Sequence, residues 1–408
     1  MTNDALAGSM VFAKMGAEAV FQPFVFQFGF ISILPLLLYL CANHQLLFVK
    51  SASLVTVLVQ FFLSGSNINY TLMKKLVLTI FLSVVFVFNE QELLAQPCGT
   101  RALDPRITSF LKMIGYQDMT IEQLRDIPIA LIKYPRLPLI PYPKEDVKRI
   151  KITADSIPIL IFNPGHSQNL PIIINYHGGG FISPLLPGLE HSLWQDAKTY
   201  GAIVFAVDYR VAPENKFPAA VDDSYNAFKW IAEHGGEFGG DTSRIALFGI
   251  SAGANLAAVV SQKAKNDGIV NKIKLQILNG LPGDCSPANM ETSVSYKENA
   301  KGYWQTKAAC YFAIELYAPG QYNNPEVSPI LTEDLRGLPS AVIVNAEFDP
   351  LRDDGILYAA KLRKSGVKVW EKCFAGQIHM LLGLPPGADE VKEFERIIKA
   401  AMKESFDK

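Results

Sequence analysis

The sequence has few histidines and cysteines, and neither sign of charge is in excess. In 408 residues there are 6 histidines and 5 cysteines, and 38 lysines and arginines balance 39 acids to a formal net charge of −1. Without a basic stripe to neutralise phosphates, the chain is not expected to bind nucleic acid. No Cys-x-x-Cys pair and no His-Glu-x-x-His string occurs, so no metal is expected, and no cofactor either. Repeats and low-complexity tracts are also missing. The cysteines are Cys41, Cys98, Cys285, Cys310 and Cys373. If the protein is exported, the last four remain after processing. Cys285 and Cys310, closest in sequence, are then the first pair to consider for a disulfide, but buried free thiols are the preferred reading.

Apolar residues are abundant, at 49 %, and crowd into the first 95 positions. Met73-Lys-Lys is followed by an apolar run from Leu76 to Phe88 and a polar stretch ending at Ala95. That is the layout of a secretory signal peptide. The run is short for a membrane span of about 20 residues. Two further apolar stretches precede it, Phe24 to Ala42 and Leu54 to Leu63. We therefore expect residues 1–72 to be an extension outside the mature protein and 73–95 a signal peptide. The catalytic domain would occupy 96–408, in the periplasm or secreted. The alternative is membrane association through the N-terminus.

Beyond residue 100 the pattern changes. Leu103 to Asp126 reads as helical, with Thr120 as a cap and Gln123 three residues on. A proline-rich linker, Tyr134 to Pro143, follows. Strands are expected at 150–154, 157–162, 171–176, 202–207, 244–249, 273–278, 340–346 and 367–373. Helices are expected at 220–234, 252–265, 354–365 and from 389 onward. This alternation predicts an α/β fold with a mostly parallel sheet covered by helices on both faces. Such sheets carry their chemistry in loops at the carboxyl ends of strands.

Three strings bear on chemistry. Gly249-Ile-Ser-Ala-Gly253 matches Gly-x-Ser-x-Gly between a predicted strand and a predicted helix, which presents Ser251 on a tight turn. His177-Gly-Gly-Gly180 follows another predicted strand; amides there, with that of Ala252, suit an oxyanion hole. A serine hydroxyl needs a base. His379 is the only histidine after Ser251, as the chain order serine, acid, histidine requires. Asp349, closing a predicted strand, is the preferred acid. Glu347, Asp353 and Asp354 are its rivals, the last two also readable as helix caps.

These strings, with Asp208-Tyr-Arg-Val-Ala-Pro-Glu214, Phe217-Pro-Ala-Ala220, Asn255-Leu-Ala257, Val327-Ser-Pro329 and Asp349-Pro-Leu-Arg-Asp-Asp-Gly355, run in order from about residue 100 to the end. By them the chain resembles the hormone-sensitive-lipase-like family of α/β hydrolases, which includes bacterial esterases and arylacetamide deacetylase. The resemblance implies an α/β-hydrolase fold and a triad of Ser251, Asp349 and His379. It implies oxyanion donors at Gly178, Gly179 and Ala252, and a buried polar brace at Arg210 and Glu214. It also implies a helical cap, here about 103–126 and 286–325. The second segment holds Tyr296, Tyr303, Trp304, Tyr311, Phe312 and Tyr317, to line an acyl pocket or to pack the cap. Two positions depart from the family's usual pattern: Ile250 replaces an aspartate and Ala254 a glycine. The expected function is hydrolysis of small carboxylic esters of short to medium chain through an acyl-enzyme on Ser251. Amidase, deacetylase or peptidase chemistry with the same triad, or a non-catalytic receptor on this scaffold, are the alternatives.

Overall fold

A computed structural model describes residues 98–99, 102–135, 137–152 and 156–407. The expected extension and signal peptide lie outside these residues. Among the described residues, no helix is long and apolar enough to cross a membrane.

Eight strands form one sheet in the order β1-β2-β4-β3-β5-β6-β7-β8. They are β1 (Val147–Ile152), β2 (Ile157–Phe162), β3 (Leu170–Tyr176), β4 (Ile203–Val207), β5 (Gly240–Ile250), β6 (Ile273–Asn279), β7 (Ser340–Phe348) and β8 (Val369–Ile378). β2 runs antiparallel to β1 and β4; the others are parallel. The central strands are near-continuous apolar runs because both faces are covered. Alternate side chains divide between two cores: Ile172, Ile174, Ile245 and Leu247 face one, and Ile173, Ala246 and Phe248 the other.

The first core is closed by the helices Ala219–His234 (α5), Ala252–Asn266 (α6) and Arg352–Lys364 (α10). The second is closed by Glu190–Tyr200 (α4) and Asp389–Phe406 (α11). Among the described residues, six further helices complete the domain, and three of them add Met290, Tyr296 and Ile314 to the first core. The six are Pro105–Met113 (α1), Ile121–Asp126 (α2), Ile129–Lys133 (α3), Pro287–Thr292 (α7), Val294–Glu298 (α8) and Lys307–Tyr317 (α9). Helix α2 starts as the sequence predicts: the Thr120 hydroxyl accepts from the Gln123 amide while the Gln123 side chain accepts from the Thr120 amide. Leu124 and Ile132 pack against Phe312 of α9, and Arg125 pairs with Glu315 at 2.8 Å. The two helical segments thus meet each other.

Cys285 and Cys310 are buried free thiols, the preferred reading, and the pairing considered for them is corrected: the disulfide joins Cys98 to Cys373 on β8. The partners are 275 residues apart; proximity in sequence misled because the fold brings the start of the domain beside its last strand.

Candidate active site

The parallel strands deliver five loops to one edge of the sheet. Gly178 and Gly179 follow β3, Ser251 follows β5, Gly280 follows β6, Asp349 follows β7 and His379 follows β8. Because β3, β5, β6, β7 and β8 are successive neighbours, residues from distant parts of the chain become adjacent.

Ser251 sits at φ 55°, ψ −121°, in a region L-residues rarely adopt. The turn closes because its flanking glycines let backbone meet backbone. A Cβ on Gly249 would collide with the Gly253 carbonyl, and one on Gly253 with the Tyr176 carbonyl. The Ser251 amide donates to Asn279 O at 2.8 Å, tying the turn to the end of β6. Ala252 opens α6, so its N–H is among those without an intrahelical acceptor.

Gly178 lies against this turn: a Cβ there would stand 3.4 Å from Ser251 Cβ. His177 is buried, stacks on Tyr209 at 4.1 Å, and its Nδ1 lies 2.8 Å from Gly178 O. A carbonyl only accepts, so Nδ1 carries the proton. That bond fixes the Gly178–Gly179 peptide and aims the Gly179 N–H the opposite way, since the two groups of a trans peptide oppose each other. Burial pulls the His177 pKa down to about 4, so the ring is neutral at physiological pH.

Asp349 and His379 are each 1 % exposed, and His379 Nδ1 lies 2.6 Å from Asp349 Oδ2. Asp349 Oδ1 accepts from the Leu351 amide at 2.9 Å. His379 Nε2 is buried and has no hydrogen-bond partner. Gly280, which follows the residue bonded to the Ser251 amide, abuts the imidazole; a Cβ there would be 2.6 Å from His379 Cε1. Asn279 and Gly280, consecutive at the end of β6, thus touch the serine turn and the histidine respectively.

The rival acids do other work. Glu347 accepts from the Gly376 amide at 2.8 Å. Asp353 accepts from the Ser295 amide and from Arg352, both at 2.8 Å. Asp354 accepts from Gly283 and Asp284 amides and from Asn289 Nδ2. None touches an imidazole in these contacts. The brace expected to be buried is exposed and in two parts: Arg210 grips buried Asp223 through Nε and Nη2, and Glu214 pairs with buried Lys133 of α3. Of the six cap aromatics, Tyr296, Phe312 and Tyr317 are buried and pack. Tyr317 stacks on Phe181 with ring centroids 3.9 Å apart. Of the six, Trp304 neighbours the imidazole, with ring centroids 6.3 Å apart and planes tilted by 20°.

Two positioning residues were not foreseen. Gly280 had a visible signal, a glycine directly after a buried strand. Asn299 had none: its buried Nδ2 donates to Asp349 O at 3.0 Å and Glu347 O at 3.2 Å, from a position 50 residues before the acid. Ile250 packs at the fringe of the second core, so the position of the family's usual aspartate is apolar here.

Residues 173–382 match the profile of a family described as alpha/beta hydrolase fold. An arylesterase of Saccharolobus solfataricus is 31 % identical over 312 residues, 74 % of this chain and 99 % of the relative. The esterase LipI of Mycobacterium tuberculosis is 34 % identical over 278 residues, 66 % of this chain and 84 % of its own length. Among solved structures, a hyperthermophilic esterase from Pyrobaculum calidifontis superposes with a TM-score of 0.63 at 31 % identity, covering 74 % of this chain and 98 % of that one. On the strength of the fold, the matched residues and these relatives, the chain belongs to the hormone-sensitive-lipase-like family of α/β hydrolases.

Proposed function

We infer that the protein is a serine carboxylic ester hydrolase. Ser251 is the nucleophile, His379 the general base and then acid, and Asp349 the carboxylate that orients the imidazole. One observation carries the reading: Asp349 holds one ring nitrogen of His379 at 2.6 Å, and the other is buried without a partner. With the proton on Nδ1, Nε2 presents a lone pair, which is what a weak serine nucleophile requires.

The reaction runs in two halves. Ser251 Oγ bonds to the acyl carbon while its proton passes to His379 Nε2. Negative charge gathers on the carbonyl oxygen, met by the amides of Gly178, Gly179 and Ala252. The bond to the alcohol breaks as His379 returns the proton to the leaving oxygen. Water then repeats the sequence on the acyl-enzyme, releasing the acid and free Ser251. Loss of one oxyanion donor typically costs about 10²–10³ in rate. The relatives carry the names arylesterase and esterase, which favours small esters over amides; acyl chains are read as short to medium. Ser251→Ala should abolish hydrolysis of short p-nitrophenyl esters, and undiminished turnover would refute the assignment.

The enzyme is also read as exported to the periplasm or beyond. The signal-peptide layout of residues 73–95 supports this. So does the Cys98–Cys373 disulfide, because such bonds persist in oxidising compartments.

A further inference from the structure

We propose that Trp304 forms the wall of the alcohol subsite and selects esters of flat, aromatic alcohols. This rests on the ester-hydrolase reading and adds the leaving group to it. In acyl transfer the base must hand its proton to the departing oxygen, so that oxygen lies within about 2.6–3.2 Å of the imidazole nitrogen. Whatever the oxygen carries therefore lies beside the His379 ring. An aromatic plane stands beside that ring: Trp304, close to parallel with it at 20° and with centroids 6.3 Å apart.

The indole is held there from several directions. Its backbone has φ +68°, a conformation a bulky residue seldom takes. Two residues earlier, the Gly302 amide donates to Asp118 Oδ1 at 2.7 Å, and the Tyr116 hydroxyl donates to the same oxygen at 2.7 Å. The neighbouring Tyr303 ring packs on Phe348 at 4.7 Å. Trp304 itself is half-buried, against an apolar cluster containing Ile107, Phe348 and Ile378. A tryptophan fixed beside the base, with part of its surface free, offers a π-face to an aryl group on the leaving oxygen. A saturated ring fills the same volume without the stacking interaction, which is preferred at centroid distances of about 4.5–7 Å.

The test compares phenyl acetate with cyclohexyl acetate, which share an acyl group and differ in the alcohol ring. The ratio of their kcat/KM values in each variant, divided by the wild-type ratio, cancels intrinsic reactivity. In Trp304→Leu this selectivity should fall about fivefold, and Trp304→Phe should restore most of it. The preference between phenyl butyrate and phenyl acetate should stay unchanged in both variants. If Trp304→Leu keeps the wild-type alcohol selectivity while still hydrolysing esters, or shifts acyl preference instead, the proposal is overturned and the ester-hydrolase reading stands. If wild-type protein hydrolyses none of these esters, both readings fall.

Discussion

A catalytic serine and histidine leave a strong trace in sequence because their chemistry restricts residue type. Ser251 needed glycine neighbours for the turn, and His379 was the only imidazole available downstream. The acid was less legible, since four carboxylates lie between Glu347 and Asp354 and only folding shows that Asp349 meets His379. Spacers were least legible of all, because their role is to be small. Gly280 is such a residue, at φ +66° with the imidazole against it. Gly280→Ala would add strain and push His379 off its position. A displacement approaching 1 Å costs about 10² in rate, so kcat should fall by about that factor while far-ultraviolet circular dichroism stays unchanged. Wild-type kcat in this variant would show that the histidine tolerates the contact.

Elements were read well where apolar periodicity dominated. The strands of the sheet and the helices α5, α6, α10 and α11 begin within a few residues of expectation, except that β5 starts four residues earlier. β8 runs on to Ile378 instead of ending at residue 373, which brings His379 directly to the strand end. Helix α4 was missed. It buries only Glu190, Leu193 and Ala197 among 11 residues, so its apolar stripe is too thin to stand out from loop. At the start of α10 the sequence allowed Asp354 a capping role, and burial gives it another. Its carboxyl group is turned inward, and desolvation raises its pKa to about 8. The unfolded chain has this group near the ordinary value of about 3.9. Between those two values the native protein holds a proton that the unfolded chain has lost, so stability falls as pH rises through that window. Asp354→Asn should flatten this slope. Urea midpoints at about pH 5 and about pH 8 measure it, and an unaltered slope would place the dependence on other groups.

At the scale of the whole molecule, the export reading makes a definite claim about where the working chain begins. If residues 73–95 are removed in transit, the mass of the native protein should correspond to a start near Gln96. An intact Met1 would contradict that. The same claim gives the disulfide its setting, for Cys98 then lies at the extreme amino end of the mature chain. Its bond to β8 turns the intervening polypeptide, which contains the helical segments, the nucleophile and the acid, into a covalent ring. A protease that cuts an exposed stretch such as Leu137–Ile140 opens the ring without releasing a fragment. The severed pieces remain a single particle, still anchored beside the strand that leads to the histidine, until a reductant reaches the sulfurs.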